Sequence, residues 1–246
     1  MDPAYVERIK ATLAGTTVEE KQKDAEAFLK RLHLEHPSKA QFVPALLSIV
    51  RDPSVDSTVR QCAAIKFKNC IDKGWEYHDD HPEIADALRP GLRAQMIDIM
   101  CSVPSLLQSQ ISESVRIMAV KDFPQDWPDM LPRMVAKMSG SKDPATIIGV
   151  LKAAHEIFLQ FRGMADTHNN RVRLKAALDQ FAKPVTNFYQ RVSQMAMAAM
   201  QDKGRLTLFY QAMTLMTEIF YSLNWCVCRC VGAATNGSSS GPRIVE

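Results

Sequence analysis

Two short stretches hold the side chains best suited to metal chemistry. The first is the run HDDH at residues 78–81, where imidazole and carboxylate groups could ligate a divalent metal ion. The second is CVCRC at residues 226–230, whose thiolates suit a softer metal. Each needs a rigid element to position it, so the question is whether the surrounding sequence supplies one.

The surroundings of HDDH argue against a metal enzyme. All-helical metal-dependent phosphohydrolases use adjacent His-Asp ligands on rigid helices, whereas this run lies between Trp75 and Pro82 in a segment expected to be a loop. The remaining histidines show no spacing that would complete a site. A metal phosphohydrolase that ligates its ion through His78 and His81 therefore stays only as a distant alternative.

The cysteines and glycines do not indicate a cofactor site either. The alternating spacing of CVCRC lacks the paired C-x-x-C arrangement of strong zinc sites. The ten glycines form neither G-x-x-x-x-G-K-[ST] nor G-x-G-x-x-G, so no phosphate-binding loop is indicated. Cys62, Cys70 and Cys101 stand among helical apolar residues and are interpreted as small buried side chains. We expect no enzyme activity, no metal and no cofactor.

Composition narrows the function classes further. The 246 residues are 46% hydrophobic and 23% charged, which is typical of a folded protein that buries a core. The formal charge is +3, and Glu26, Asp72 and Glu113 interrupt the basic positions, so a nucleic-acid-binding protein is disfavoured. Neither a secretory signal nor an apolar run of about 20 residues, long enough to span a membrane, is present. A reducing compartment, cytosolic or nuclear, is expected.

The hydrophobic pattern predicts an all-α fold. Apolar residues recur with the helical period, and no segment alternates as a half-buried strand does. Helices grouped in about five antiparallel pairs, recurring every 40 to 50 residues, predict a HEAT-repeat solenoid, an α-α superhelix whose usual repeat is about 40–47 residues. The expected helices are 4–14, 18–34, 38–51, 55–73, 83–102, 105–121, 129–139, 144–162, 169–200 with a break allowed at Pro184, and 204–224.

The stretch KDFPQDWPDMLPRM is interpreted as a boundary between two repeats. Pro124 should end one helix, because a helix normally stops before the residue preceding a proline. Asp129 is expected to cap the next helix, with Trp127 packed into the corner. Asp143 and Pro144 repeat the pattern at the following boundary, as an N-cap and a first-turn proline.

Two apolar groups could be either core or surface. Met195, Met197 and Met200 are expected to fill the core, since methionine most often does so. Phe220, Tyr221 and Leu223 are expected to form an exposed apolar end, because terminal repeats normally need a polar cap.

Several segments resemble the amino-terminal region of the importin-β superfamily of nuclear transport receptors. They are AEAFLKRL, CAAIKFKNCIDKGW, DFPQDWPDMLPRM and VLKAAHEIFLQFR. LDQFAKPVTNFYQRV and IFYSLNW are similar, more narrowly, to the receptor that returns importin-α to the cytoplasm. The resemblance covers about residues 4–225, and we expect a repeat region over 1–225 followed by a disordered tail over 226–246.

The resemblance implies partners rather than a reaction. Receptors of this family bind the small GTPase Ran in its GTP state, bind importin-α together with it, and dock phenylalanine-glycine repeats of nucleoporins. The importin-α site is expected to be incomplete here, since family members are several times longer. The implied localisation is nucleus and cytoplasm, including the nuclear pore. Another import or export receptor, or an inactive truncated isoform, is the alternative.

The resemblance also implies that second helices of the first pairs contact Ran. On the helix 59–73, Lys68 and Asn69 are the foremost candidates, while a solvated polar face is the alternative for each residue. Lys66 falls beside the apolar arc and is a poorer candidate. The other candidates are Gln61, Asp72, Lys23, Glu26, Lys30, Ser112, Glu113 and Arg116. The arc expected in the core is Val59, Cys62, Ala63, Phe67, Cys70 and Ile71.

Overall fold

A computed structural model describes residues 2–34, 39–76, 83–163 and 167–236, and within these ranges it contains helices and no strands. No helix in these ranges is long and apolar enough to cross a membrane. A 3-10 turn, Glu19–Lys21, precedes the second of the ten α-helices that these ranges contain. The helices are α1 Pro3–Gly15, α2 Gln22–Leu34, α3 Lys39–Arg51, α4 Ser57–Gly74, α5 Arg89–Ser102, α6 Ser105–Asp122, α7 Met130–Gly140, α8 Pro144–Gly163, α9 His168–Ala198 and α10 Lys203–Asn236.

The chain divides into two compact units, Met1–Asp122 and Phe123–Glu246. In the first unit α1 packs on α2, α3 on α4 and α5 on α6, and α4 also contacts α1 and α6. In the second unit α7 packs on α8 and α9, while α10 packs on both α8 and α9. Sequence neighbours thus pair as the helical pattern predicted.

Each unit has its own aromatic core. Phe42 and Phe67 are fully buried in the first unit. In the second, the rings of Phe158 and Phe181 lie 4.8 Å apart between centroids, and both are fully buried. Burying a side chain of this size contributes about 1.5–3 kcal/mol, so these residues hold the helix pairs together.

The boundary after α6 follows the prediction except at its cap. The helix ends at Asp122, before Pro124, and Trp127 is buried to 1% exposure. Asp129 precedes α7, but its side chain makes no capping hydrogen bond. Its backbone is helical (φ −88°, ψ 0°), whereas a capping residue is normally extended. Its carboxylate lies instead 3.8 Å from Nη1 of Arg133.

The boundary before α8 agrees with the prediction. Pro144 is the first helical residue, and the Asp143 carboxylate accepts hydrogen bonds from the backbone N–H of Ala145 at 3.4 Å and of Thr146 at 2.9 Å. These bonds lower the pKa of Asp143, and the Thr146 hydroxyl contributes most, through a bond of 2.7 Å.

Two predicted helix boundaries were wrong, and one break that the prediction allowed is absent. The helix expected to begin at residue 83 starts at Arg89, because Pro90 takes a first-turn position. The helix expected over 169–200 forms as α9 without the break allowed at Pro184, and Phe181 and Val185 are buried on either side of that proline. The last helix extends to Asn236, beyond the boundary expected at 225. The predicted disorder stays a prediction for residues 237–246, which lie outside the described residues.

The predicted burial of the methionine group and of the apolar end at residues 220–223 was partly wrong. Met197 and Met200 are 69% and 67% exposed, so they are surface rather than core residues. Leu223 is buried to 2%, whereas Tyr221 is 54% exposed beneath the Arg162 guanidinium, 4.9 Å from its ring centroid.

Candidate partner-binding surfaces

Helix α4 positions most of the predicted contact residues. Asp56 caps the start of this helix, since its carboxylate accepts hydrogen bonds from the backbone N–H of Thr58 at 2.8 Å and of Val59 at 3.3 Å. The core face is largely as expected. Two exceptions, Val59 and Cys62, are half-buried rather than core. The four residues of the predicted arc that are buried are Ala63, Phe67, Cys70 and Ile71.

Three charged side chains lie near one another on α4 and α6. Glu113 accepts hydrogen bonds from Nε of Arg116 at 2.7 Å and from its Nη2 at 2.5 Å. The Arg116 hydrogen bonds lower the pKa of Glu113, and the nearby positive charges of Arg116 and Lys68 add to the effect. We call Lys68, Glu113 and Arg116 the α4–α6 cluster. All three are half-buried, so part of each side chain is open to a partner.

A groove lies on the other side of α4, facing α2. Its volume is about 780 Å³, within the range of about 300–1,000 Å³ found for ligand pockets. Three predicted residues, Glu26, Lys30 and Asn69, line it. We call it the α2–α4 groove. Its remaining walls are Leu13, Thr16, Leu29, His33, Leu34, Cys62, Ile65, Lys66 and Lys73.

The groove is more basic than the sequence analysis indicated. Lys66, rated a poorer candidate, lines it, and so does Lys73. Both positive charges also act on Cys70, where they partly offset the burial that raises the pKa of this thiol to about 11. The stripe of residues 62, 66, 69 and 73 has the helical i, i+4, i+7, i+11 spacing, and this spacing could have identified the face.

The remaining predicted contacts are scattered. Ser112 is 7% exposed, so its expected place on an open surface was wrong, because α6 turns that residue toward its packed side. Gln61 is half-buried on α4, while Asp72 and Lys23 are exposed. None of these lines the α2–α4 groove.

The metal alternative gains no support from the described ranges. Within them, no group of three His, Cys, Asp or Glu side chains could hold a metal ion. The HDDH run at 78–81 lies outside the described residues. The side chains of the CVCRC run are likewise not described, although its backbone belongs to α10.

Comparison with known families matches both units. A family described as "Importin-beta N-terminal domain" matches residues 25–102, and one described as "Cse1" matches residues 157–227. Exportin-2 of Oreochromis niloticus is 35% identical over 193 residues, which cover 78% of this chain and 20% of the relative. Exportin-2 of Homo sapiens is 33% identical with the same coverage. The chain thus spans about a fifth of the length of these curated relatives.

Solved structures match the fold. The exportin Cse1 in its cargo-free, cytoplasmic state superposes with a TM-score of 0.81 at 24% identity, over 98% of this chain and 27% of that one. Kap95p, from a structure of its binding to RanGDP, has a TM-score of 0.51 at 14% identity, over 94% of this chain and 29% of that one. These matches confirm the all-α HEAT-repeat solenoid. The chain belongs to the importin-β superfamily of nuclear transport receptors and, within it, to the exportin-2 family.

Proposed function

We propose that this region is the Ran-binding part of an exportin-2-like nuclear transport receptor. The observation that carries the proposal is the position of the α4–α6 cluster and the α2–α4 groove. Helix α4, which carries residues of both, lies within the segment that matches the importin-β N-terminal domain. Kap95p, similar in fold, is described as binding RanGDP and inducing its switch loops to adopt the GTP-bound conformation.

The chemistry of the two surfaces suits a protein partner. Arg116 is hydrogen-bonded to Glu113, and the positive charge of Lys68 is near enough to help lower the pKa of that carboxyl, so both signs of charge occur together. Such mixed charge gives orientation and specificity, since a partner must complement both signs. The groove beside it adds apolar area, which supplies most of the binding free energy in protein interfaces.

Nuclear export of importin-α is the proposed task of the whole receptor. The receptor would bind GTP-loaded Ran and importin-α together in the nucleus and release both in the cytoplasm after GTP hydrolysis by Ran. It would act by binding, with no catalysis of its own. Import or export of a different cargo is the alternative, because the importin-β resemblance alone is shared by many receptors.

Docking of nucleoporin phenylalanine-glycine repeats is proposed for the first helices of the pairs. A groove of about 280 Å³ lies between α3 and α5, with the buried side chains of Leu47 and Leu92 in its wall. Gly91 also lines it, and a Cβ built there meets nothing within 4 Å, so the space is open to a side chain. A single aromatic ring fits a site of this size and apolar character.

Binding to Ran in its two nucleotide states tests the proposal. Ran loaded with a non-hydrolysable GTP analogue is expected to bind, and Ran loaded with GDP to bind more weakly. Lys68→Ala should weaken binding because it removes one positive charge from the α4–α6 cluster without adding a repulsion to Glu113. Lys152→Ala, an exposed lysine on α8, is the matched control and should bind as the wild type does.

The importin-α step is tested separately. Retention of importin-α only when GTP-loaded Ran is present would support the exportin-2-like role, since the two ligands then stabilise one another's binding. Binding of neither nucleotide form by a chain that is folded by circular dichroism would contradict the Ran proposal.

A further inference from the structure

The α2–α4 groove has an apolar lining that is open to solvent. Leu34 at the end of α2 is 52% exposed and Ile65 on α4 is 40% exposed, and both line the groove. Leu29 and Leu13 stand behind them and are buried to 3% and 1%. An exposed apolar lining with a concave shape is typical of a surface that receives side chains of a partner.

The same groove has an excess of positive charge. Lys30, Lys66 and Lys73 line it, and none of them makes an ion pair with another described residue. Glu26 is the acidic side chain of the lining, and its carboxylate accepts a hydrogen bond from Nε2 of Gln22 at 3.0 Å. A ligand with carboxylates would therefore complement the groove.

The spacing of the lysines allows them to bind more than one carboxylate. Lys66 and Lys73 are two helical turns apart on one face of α4, which separates their Cα atoms by about 10 Å at 1.5 Å per residue. Two carboxylates at the same i, i+7 spacing on a partner helix would face them. Apolar side chains of the same segment would meet Ile65, beside Lys66 on α4, and Leu34 on α2.

We propose that the α2–α4 groove binds a short acidic amphipathic segment of a partner protein, with its carboxylates on the lysines and its apolar side chains on Leu34 and Ile65. A nucleic acid would satisfy the lysines but would leave the apolar lining without a partner. The proposal goes beyond the Ran-binding function and does not require it. The groove shares Glu26, Lys30 and Asn69 with the Ran candidates, so a bound segment should compete with Ran.

Direct titration without any GTPase tests the proposal. The probe is a fluorescein-labelled, alanine-rich helical peptide with two glutamates seven residues apart and two leucines one turn apart. It is titrated into the whole chain and followed by fluorescence anisotropy. Lys66→Glu and Lys73→Glu should each weaken binding about tenfold or more, because each reverses a charge that faces a carboxylate. Lys152→Glu on α8 makes the same change outside the groove and should leave the affinity unchanged.

Variants at the apolar lining test the other half of the proposal. Ile65→Ser should weaken binding without changing charge, and its 40% exposure makes loss of folding a minor concern. Raising the salt concentration should weaken peptide binding to the wild type. The same increase in salt should weaken the residual peptide binding of the Lys66→Glu and Lys73→Glu variants less.

Cysteine protection locates the bound peptide. Cys62 lines the groove, whereas Cys101 on α5 is similarly half-buried and does not. Bound peptide should slow iodoacetamide labelling of Cys62, measured by peptide mapping, and leave the labelling of Cys101 unchanged. Cys70 should stay unlabelled, since burial raises the pKa of its thiol to about 11.

Three results would overturn the acidic-segment proposal. One is equal affinity of the lysine variants and Lys152→Glu. Another is labelling of Cys62 that bound peptide does not alter. The third is an oligonucleotide of equal charge that binds as tightly as the peptide, with Ile65→Ser weakening the binding of neither. Because none of these measurements contains Ran, failure here leaves the Ran proposal standing, and failure to bind Ran leaves this one standing.

Discussion

The carboxylate of Asp122, the last residue of α6, lies 2.8 Å from Nη1 of Arg93 on α5. Its other oxygen accepts a hydrogen bond from the indole Nε1 of Trp75, just after α4, at 3.1 Å. Asp122 is 5% exposed and the Arg93 side chain 15% exposed, so water hardly screens this pair. One acidic side chain thus ties together the ends of three helices in the first unit.

Removing this carboxylate should destabilise the first unit strongly. Asp122→Ala leaves the positive charge of Arg93 poorly solvated, and we expect the free energy of unfolding to fall by about 3 kcal/mol. Asp122→Asn should cost less, because its amide oxygen can still accept from Trp75. Urea unfolding followed by circular dichroism measures both losses.

The matched control for Asp122 is Asp129, which forms an exposed ion pair with Arg133 across 3.8 Å. Asp129→Ala should cost about 0.5 kcal/mol or less, since exposed pairs contribute little. If Asp122→Ala and Asp129→Ala lower the free energy of unfolding equally, burial does not strengthen the Asp122–Arg93 pair.

The two buried corner tryptophans should respond differently to the same substitution. Trp75 and Trp127 are 2% and 1% exposed, but Nε1 of Trp127 has no hydrogen-bond partner among the described residues. Trp75→Phe leaves Asp122 without one donor and should cost about 2 kcal/mol more than Trp127→Phe, since a hydrogen bond to a charged group is lost. Thermal and urea unfolding of the two variants provide the comparison. A larger loss for Trp127→Phe would contradict this account.

Glu113 should contribute to the pH dependence of stability. Hydrogen bonds from Arg116 hold its pKa below the ordinary value of 4.5, so the unfolded chain binds a proton at this residue before the folded chain does. Its stabilising contribution is therefore complete above 4.5 and is lost as the pH falls from there through the lowered pKa.

The variant Glu113→Gln checks this pH dependence. Its loss of urea stability between neutral pH and a pH below 4.5 should be smaller than that of the wild type. Glu20→Gln is the control, because the exposed Glu20 carboxylate makes no hydrogen bond or ion pair with another described residue. Identical pH curves for wild type and Glu113→Gln would rule the contribution out.

Local features explain why most helices and the family could be predicted from the sequence. The Asp143 cap and Pro144 act within one turn, so their effect on α8 is visible in four consecutive residues. The helix α9 was harder to predict, since whether Pro184 breaks it depends on the buried contacts of Phe181 and Val185. Those contacts come from other helices.

The sequence by itself determined the all-helical pattern, the pairing of neighbouring helices and the family, because each rests on residues close together in the chain. Only the tertiary structure decided that Lys68 lies near Glu113 on α6 and that Lys66 faces α2 across a groove. A helical wheel separates polar from apolar arcs but does not show which neighbouring helix each edge of the polar arc meets. That choice depends on how α2, α4 and α6 pack, and therefore on contacts between residues far apart in sequence.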